Sequence, residues 1–125
     1  MHKSKLAGFI IDCKTGDLPS AASFWGQALG MQVREFPAPE SDKYIGLKDP
    51  KQGLQIEVQS VDHESRVHLD IETDDIQAEV ARLEQLGASQ VGYCGSWCVM
   101  QAPTGQKFCV INRASVDFED KANAW

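Results

Sequence analysis

The feature that most constrains how this chain can fold is an internal repeat. An apolar, β-branched run from Leu6 to Cys13 leads through Lys14-Thr15-Gly16 to Asp17, and then to a helical pattern that ends at Leu29-Gly30. From Arg66 the order begins again, passing through Asp74 and Asp75 to a second helical pattern that ends at Leu86-Gly87. Aligning the two Leu-Gly pairs, with one residue of slip before the helix, superposes Ile11-Asp12 on Leu69-Asp70. Three short apolar stretches follow each pair, so the chain reads as two copies of β-α-β-β-β. A unit this small cannot bury both faces of its own sheet, so the copies should pack against each other or exchange between subunits. The expected fold is α+β, with two tandem βαβββ modules forming a curved mixed sheet around a cavity, the kind of concave place that ligands favour.

The length of 125 residues suits a single domain, 1–125, with a hydrophobic core that needs no disulfide staples. Module 1 is expected at about 5–61 and module 2 at about 66–113, followed by a tail, 114–125. Asp17 is expected to cap the first helix, with Pro19 in a first turn where a missing N–H does no harm. Ala22, Phe24, Trp25 and Leu29 supply its apolar stripe, and Gly30 ends it. Met31 to Phe36, Lys43 to Leu47 and Leu54 to Val61 read as three antiparallel strands. A loop with Pro37 and Pro39 and a turn around Asp49-Pro50 and Gly53 separate them.

In the second copy, Val67, Leu69 and Ile71 alternate against His68, Asp70 and Glu72 in a half-buried strand. Asp74 or Asp75 caps the next helix, Ile76, Val80, Leu83 and Leu86 form its apolar face, and Gly87 ends it. Ser89 to Tyr93, Trp97 to Gln101 and Lys107 to Asn112 complete the module, with Pro103-Thr104-Gly105 as the last turn. The acidic tail has Phe118 and Trp125 as anchors if it packs; otherwise it frays.

Twelve basic against eighteen acidic residues leave a net charge of −6. Nucleic acid and anionic membrane surfaces are therefore not expected as partners, since both are bound through Lys and Arg. The apolar patch near the N-terminus is interrupted by Asp12 and Lys14, so a cytoplasmic protein is expected, with Cys13, Cys94, Cys98 and Cys109 reduced. Cys94 and Cys98 are separated by three residues, without a second pair or a His pair to match, a weak zinc motif. No Walker A loop, G-x-G-x-x-G, G-x-S-x-G or H-E-x-x-H occurs.

Several segments together resemble the vicinal oxygen chelate superfamily, which includes glyoxalase I, bleomycin resistance proteins and extradiol dioxygenases. In the first copy these are Thr15-Gly16-Asp17-Leu18, Phe24-Trp25 and Leu29-Gly30-Met31. In the second they are Val67 to Asp75, Leu86-Gly87-Ala88 and Ala102-Pro103-Thr104-Gly105-Gln106-Lys107-Phe108. The resemblance runs from about Leu6 to Asn112 and points to the glyoxalase-like branch. It implies a homodimer, and it implies up to four metal-ligand slots. Carried over, these are Ile10, Glu57 (or Gln59, depending on register), His68 and Cys109. Ile10 has no donor atom, and Cys109 stands where metal enzymes of this type carry glutamate. No cofactor is expected; if a divalent metal binds, Glu57, His68 and Cys109 would hold it, a set that suits Zn²⁺ better than Mg²⁺.

The residues expected to line a ligand site are Ile10, Asp12, Tyr44, Glu57, His68, Trp97 and Cys109. His68 and Glu57 are the catalytic candidates. A neutral imidazole with a pKa near working pH can orient a ligand or act as a general base; the alternative for His68 is a hydrogen-bonded structural histidine. Glu57 alternates with apolar neighbours and faces the ligand side or solvent. Asp12 faces a ligand or has a structural role, and Tyr44 and Trp97 are ring walls or core. His2 and His63 are expected in solvent. The expected function is binding of a small, partly apolar molecule without an intact metal site, by sequestration or metal-independent turnover. The alternatives are a metal-dependent lyase, isomerase or dioxygenase using Glu57 and His68, and a non-catalytic regulatory or scaffolding subunit.

Overall fold

The computed structural model describes residues 1–49, 51 and 53–125 and is mixed α+β. Pro50 of the expected turn lies outside the described residues. The chain divides into two compact units, residues 8–67 and residues 1–7 with 68–125.

The unit of residues 8–67 is built from the last seven residues of β1 (Lys3–Lys14), α1 (Leu18–Leu29), β2 (Gln32–Glu35), β3 (Tyr44–Lys48) and β4 (Gln55–Val61). Its strand order is β2-β3-β4-β1. Both hairpin pairs are antiparallel, while β4 runs parallel to β1 with Ile10 opposite Glu57 and Asp12 opposite Gln59. Asp17 caps α1 as expected, accepting from the Ser20 N–H at 3.2 Å, and Gly30 closes the helix in the left-handed conformation at φ 69°.

The buried stripe of α1 differs from the expected one. Leu18, Ala22 and Gly26 are buried and Trp25 packs on the core, whereas Phe24 and Leu29 are 61% and 43% exposed. Ala22 and Gly26 face the sheet where the helix lies close to it: a Cβ on Gly26 would meet the Val33 side chain of β2 at 3.3 Å. The core joins Leu18 and Ala22 to Ile11, Ile45, Leu47, Ile56 and Val58.

The second unit holds β5 (Arg66–Thr73) from His68 onward, α2 (Ile76–Gln85), β6 (Ser89–Cys94), β7 (Trp97–Gln101) and β8 (Lys107–Asn112). Its strands run β5-β8-β7-β6, with β5 and β8 parallel. Asp75 is the cap of α2, accepting from the Ala78 N–H at 3.0 Å. Asp74 instead accepts from the Lys3 N–H at 2.8 Å. Val80 and Leu83 join Cys98, Met100 and Val110 in the core. Leu86, expected on the same helical face, is 66% exposed because the helix has already ended there. Leu69 is also exposed, at 51%, and only Ile71 of the alternating apolar set in β5 packs on this core.

The tail packs. Residues Phe118–Lys121 form a short helix, α3, and Asn123–Ala124 form β9, antiparallel to the start of β1. Phe118 is 2% exposed, and the Trp125 indole N–H donates to Ser4 Oγ at 2.8 Å beneath the Arg82 guanidinium. His2, expected in solvent, is held by the same end of the molecule: its Nε2 lies 2.8 Å from Glu79 Oε1. His63 is exposed, as expected.

Candidate functional site

Alternation decides which side chains of the second unit leave the α2 side of the sheet. Ile71, Val110, Cys98 and Met100 pack with the helix, so His68, Asp70 and Glu72 of β5, Cys109 and Ile111 of β8, and Trp97 and Val99 of β7 face the other way. Register then selects neighbours: Asp70 stands opposite Cys109, and Cys109 opposite Val99. One donor atom each from His68, Asp70 and Cys109 lies within 4.8 Å of the other two, and His68 Nε2 is 3.6 Å from Asp70 Oδ1. All three are half-buried, with only 15% and 16% of the His68 and Asp70 side chains exposed.

Two residues along the strand, Glu72 is fully buried and belongs to the structure of the tail. Its carboxylate accepts from the Ala114 and Ser115 N–H groups at 3.1 and 3.0 Å and from the Ser115 hydroxyl. Lys5 Nζ sits 3.7 Å from the same carboxylate and 3.9 Å from Asp117. The polar face of this unit is therefore divided: Glu72 is engaged by the tail, while His68, Asp70 and Cys109 form a separate cluster.

In the unit of residues 8–67 the face opposite α1 carries Ile10, Asp12, Tyr44, Glu57 and Gln59. Gln59 Nε2 donates to Tyr44 Oη at 3.0 Å, and Asp12, 2% exposed, meets Arg66 Nε at 3.7 Å. Ile10, 3% exposed, is paired with Glu57 across the parallel strands. A shallow groove of about 330 Å³ lies elsewhere, along Gly26, Gly30 and Met31 at the end of α1, and includes none of these residues.

Asp70 is the residue that sequence reasoning did not bring into the site. Strand alternation places it on the face of His68, but its position beside Cys109 depends on the parallel register of β5 and β8, which no local pattern encodes.

The glyoxalase-like domain profile matches residues 8–111, a span that takes in both βαβββ repeats. This chain belongs to that family. The glyoxalase-like fold is shared with a hypothetical protein from Bacillus halodurans at a TM-score of 0.64, with 11% identity over 90% of this chain and 97% of that one. It is also shared with methylmalonyl-CoA epimerase from Mycobacterium tuberculosis at 0.62, with 16% identity over 87% and 88%. A third neighbour, a glyoxalase/bleomycin resistance protein/dioxygenase superfamily member from Vibrio splendidus, matches at 0.53, with 17% identity over 86% and 97%. No curated protein matches the sequence.

The four-ligand metal set implied by the superfamily does not fit this glyoxalase-like chain. A buried isoleucine, Ile10, fills one slot, and a thiol, Cys109, fills another. Oxygen-seeking cations would find too few hard donors. Among the described residues, no helix is long and apolar enough to cross a membrane.

Proposed function

We propose that this glyoxalase-like domain binds a small, partly apolar molecule on the helix-free side of its strands, without the four-ligand metal site of its superfamily, by sequestration or metal-independent turnover. The observation that carries the reading is the convergence of His68, Asp70 and Cys109 beside Val99, Ile111 and Trp97. A few converging polar groups in apolar surroundings are what orient a small ligand. His68 supplies a donor or a base, and Asp70 beside it favours the imidazolium that forms when it takes a proton. On the helix-free face of the unit of residues 8–67, Tyr44, Asp12, Glu57 and Ile10 are proposed as that unit's own ligand contacts. A homodimer, from the family resemblance, and a cytoplasmic setting, from the interrupted apolar patch near the N-terminus, belong to the same proposal.

The test is a thermal-shift screen of apolar and aromatic carbonyl and carboxyl compounds, followed by fluorescence titration of Trp97. Saturable binding that is unchanged by EDTA and weakened about tenfold in His68→Ala is the expected result. Binding abolished by the chelator would overturn it. A screen in which nothing raises the melting temperature would favour the non-catalytic scaffold.

One observation favours a second reading. His68, Asp70 and Cys109 together offer nitrogen, oxygen and sulfur donors close enough to hold a cation, and that set suits Zn²⁺. Zinc bound there would supply a Lewis acid. Stoichiometric zinc that disappears in His68→Ala would establish this reading in place of the first.

A further inference from the structure

Cys109 lies where a thiol, an imidazole and a carboxylate converge within one module. Its sulfur, a ring nitrogen of His68 and a carboxylate oxygen of Asp70 are mutually within 4.8 Å, and Asp70 Oδ1 is 3.6 Å from His68 Nε2. A thiol is a modest nucleophile until a base takes its proton, and the base works best when a third group orients it. Cys109, His68 and Asp70 are the residue types that those three roles require.

The surroundings define what can approach. Val99 stands directly opposite Cys109 on β7, and Trp97 and Ile111 are the next residues along on the same face. On β6, Gly92 stands opposite Val99, and a Cβ there would meet nothing within 4 Å. The sulfur thus has apolar neighbours on its own face, and the face is open above Gly92 on β6. Beside Cys109, the charged or titratable groups on this face include His68, Asp70 and Glu72 of β5, Lys107 of β8, Cys94 of β6 and Lys5 of β1, and Glu72 is already engaged by Ser115 and Lys5.

We infer that Cys109 captures soft, partly apolar electrophiles of the α,β-unsaturated carbonyl class, with His68 as the proton acceptor and Asp70 as a positioning residue. This rests on the proposed small-molecule binding and names the ligand class for it. In the capture, His68 takes the thiol proton and a bond forms between Sγ and the β-carbon of the ligand. The π electron pair of the C=C bond moves to the α-carbon, which takes the proton back from His68. Nothing is oxidised or reduced, no group leaves, and the reverse step releases the ligand unchanged.

The experiment treats the full chain, stripped with EDTA, with cyclohex-2-en-1-one and follows adduct formation at each cysteine by peptide mass spectrometry. Cys109 is expected to react about tenfold faster than Cys94, although Cys94 is the exposed thiol of the two. Cys13 and Cys98 should lag, since burial pushes both thiols up. His68→Ala should slow Cys109 about a hundredfold while leaving the Cys94 rate unchanged. Asp70→Glu should keep most of the rate that Asp70→Ala loses, which a merely structural aspartate would not require. A Cys109 rate no greater than that of Cys94 overturns the inference, and so does a fast rate that survives His68→Ala. If His68→Ala does not fold, the comparison of Cys109 with Cys94 in the unaltered protein decides. Cyclohexanone, which lacks the C=C bond, separates this inference from the reading beneath it: saturable quenching of Trp97 by cyclohexanone together with a slow Cys109 keeps the binding and rejects the capture.

Discussion

At Gly8 two parallel backbones approach so closely that a methyl group has no place to go. A Cβ there would lie 1.9 Å from the Gln55 carbonyl oxygen, and a backbone atom cannot turn aside as a flexible side chain can. Gly8→Ala should therefore destabilise the protein by about 3 kcal/mol or more, read as a lower midpoint in urea unfolding. Nothing in the sequence around Gly8 announced this role, because the constraint comes from a strand far along the chain. His2 and Asp70 were hidden for the same reason. Their partners, Glu79 and Cys109, are set by packing and register. His68 was legible, since both its strand and its side of the strand follow from alternation alone.

At the scale of elements, whatever depends on neighbouring residues was readable. Helices α1 and α2 each begin at an aspartate that accepts from the N–H three residues on. Asp75→Ala should cost about 1 kcal/mol, measured by thermal or urea unfolding. Helix faces were harder to read: Phe24 and Leu29 look like core residues until the sheet shows which side of α1 it touches. The tail was harder still, because a short acidic segment packs only if the body offers it partners. Here Glu72 and Ser4 do so, and Phe118 is buried. Phe118→Ala should destabilise the protein by about 3–5 kcal/mol, as at any well-packed aromatic position. A frayed tail would leave the melting temperature unchanged.

For the whole molecule, acidity matters through one carboxylate more than through the net charge of −6. Burial opposes ionisation of Glu79, but hydrogen bonds from Arg82, His2 and Ser4 outweigh it and hold the carboxyl at about 2, below its ordinary 4.5. A group with a lowered folded pKa contributes its full stability above the unfolded value and loses it as pH falls through the folded one. Melting temperature should therefore drop between about pH 4.5 and pH 2. Glu79→Gln should be less stable at neutral pH and show a shallower slope across that window, because its amide does not titrate.

Strand β6 is the last in its order, carries no charged residue, and is exposed along all six positions, Val91 and Tyr93 included. What interrupts it is the shift in pairing between Gln90 and Gly92, an extra residue that twists the strand. That irregularity acts as a guard against aggregation. A straight, uncharged outer strand is a template on which a second chain can lay its own backbone, and the bulge spoils the template where side chains supply no repulsion. Deleting Val91 should thus leave each chain folded but let chains join edge to edge, seen as concentration-dependent growth in light scattering. Replacing Val91 with lysine should keep the solution clear.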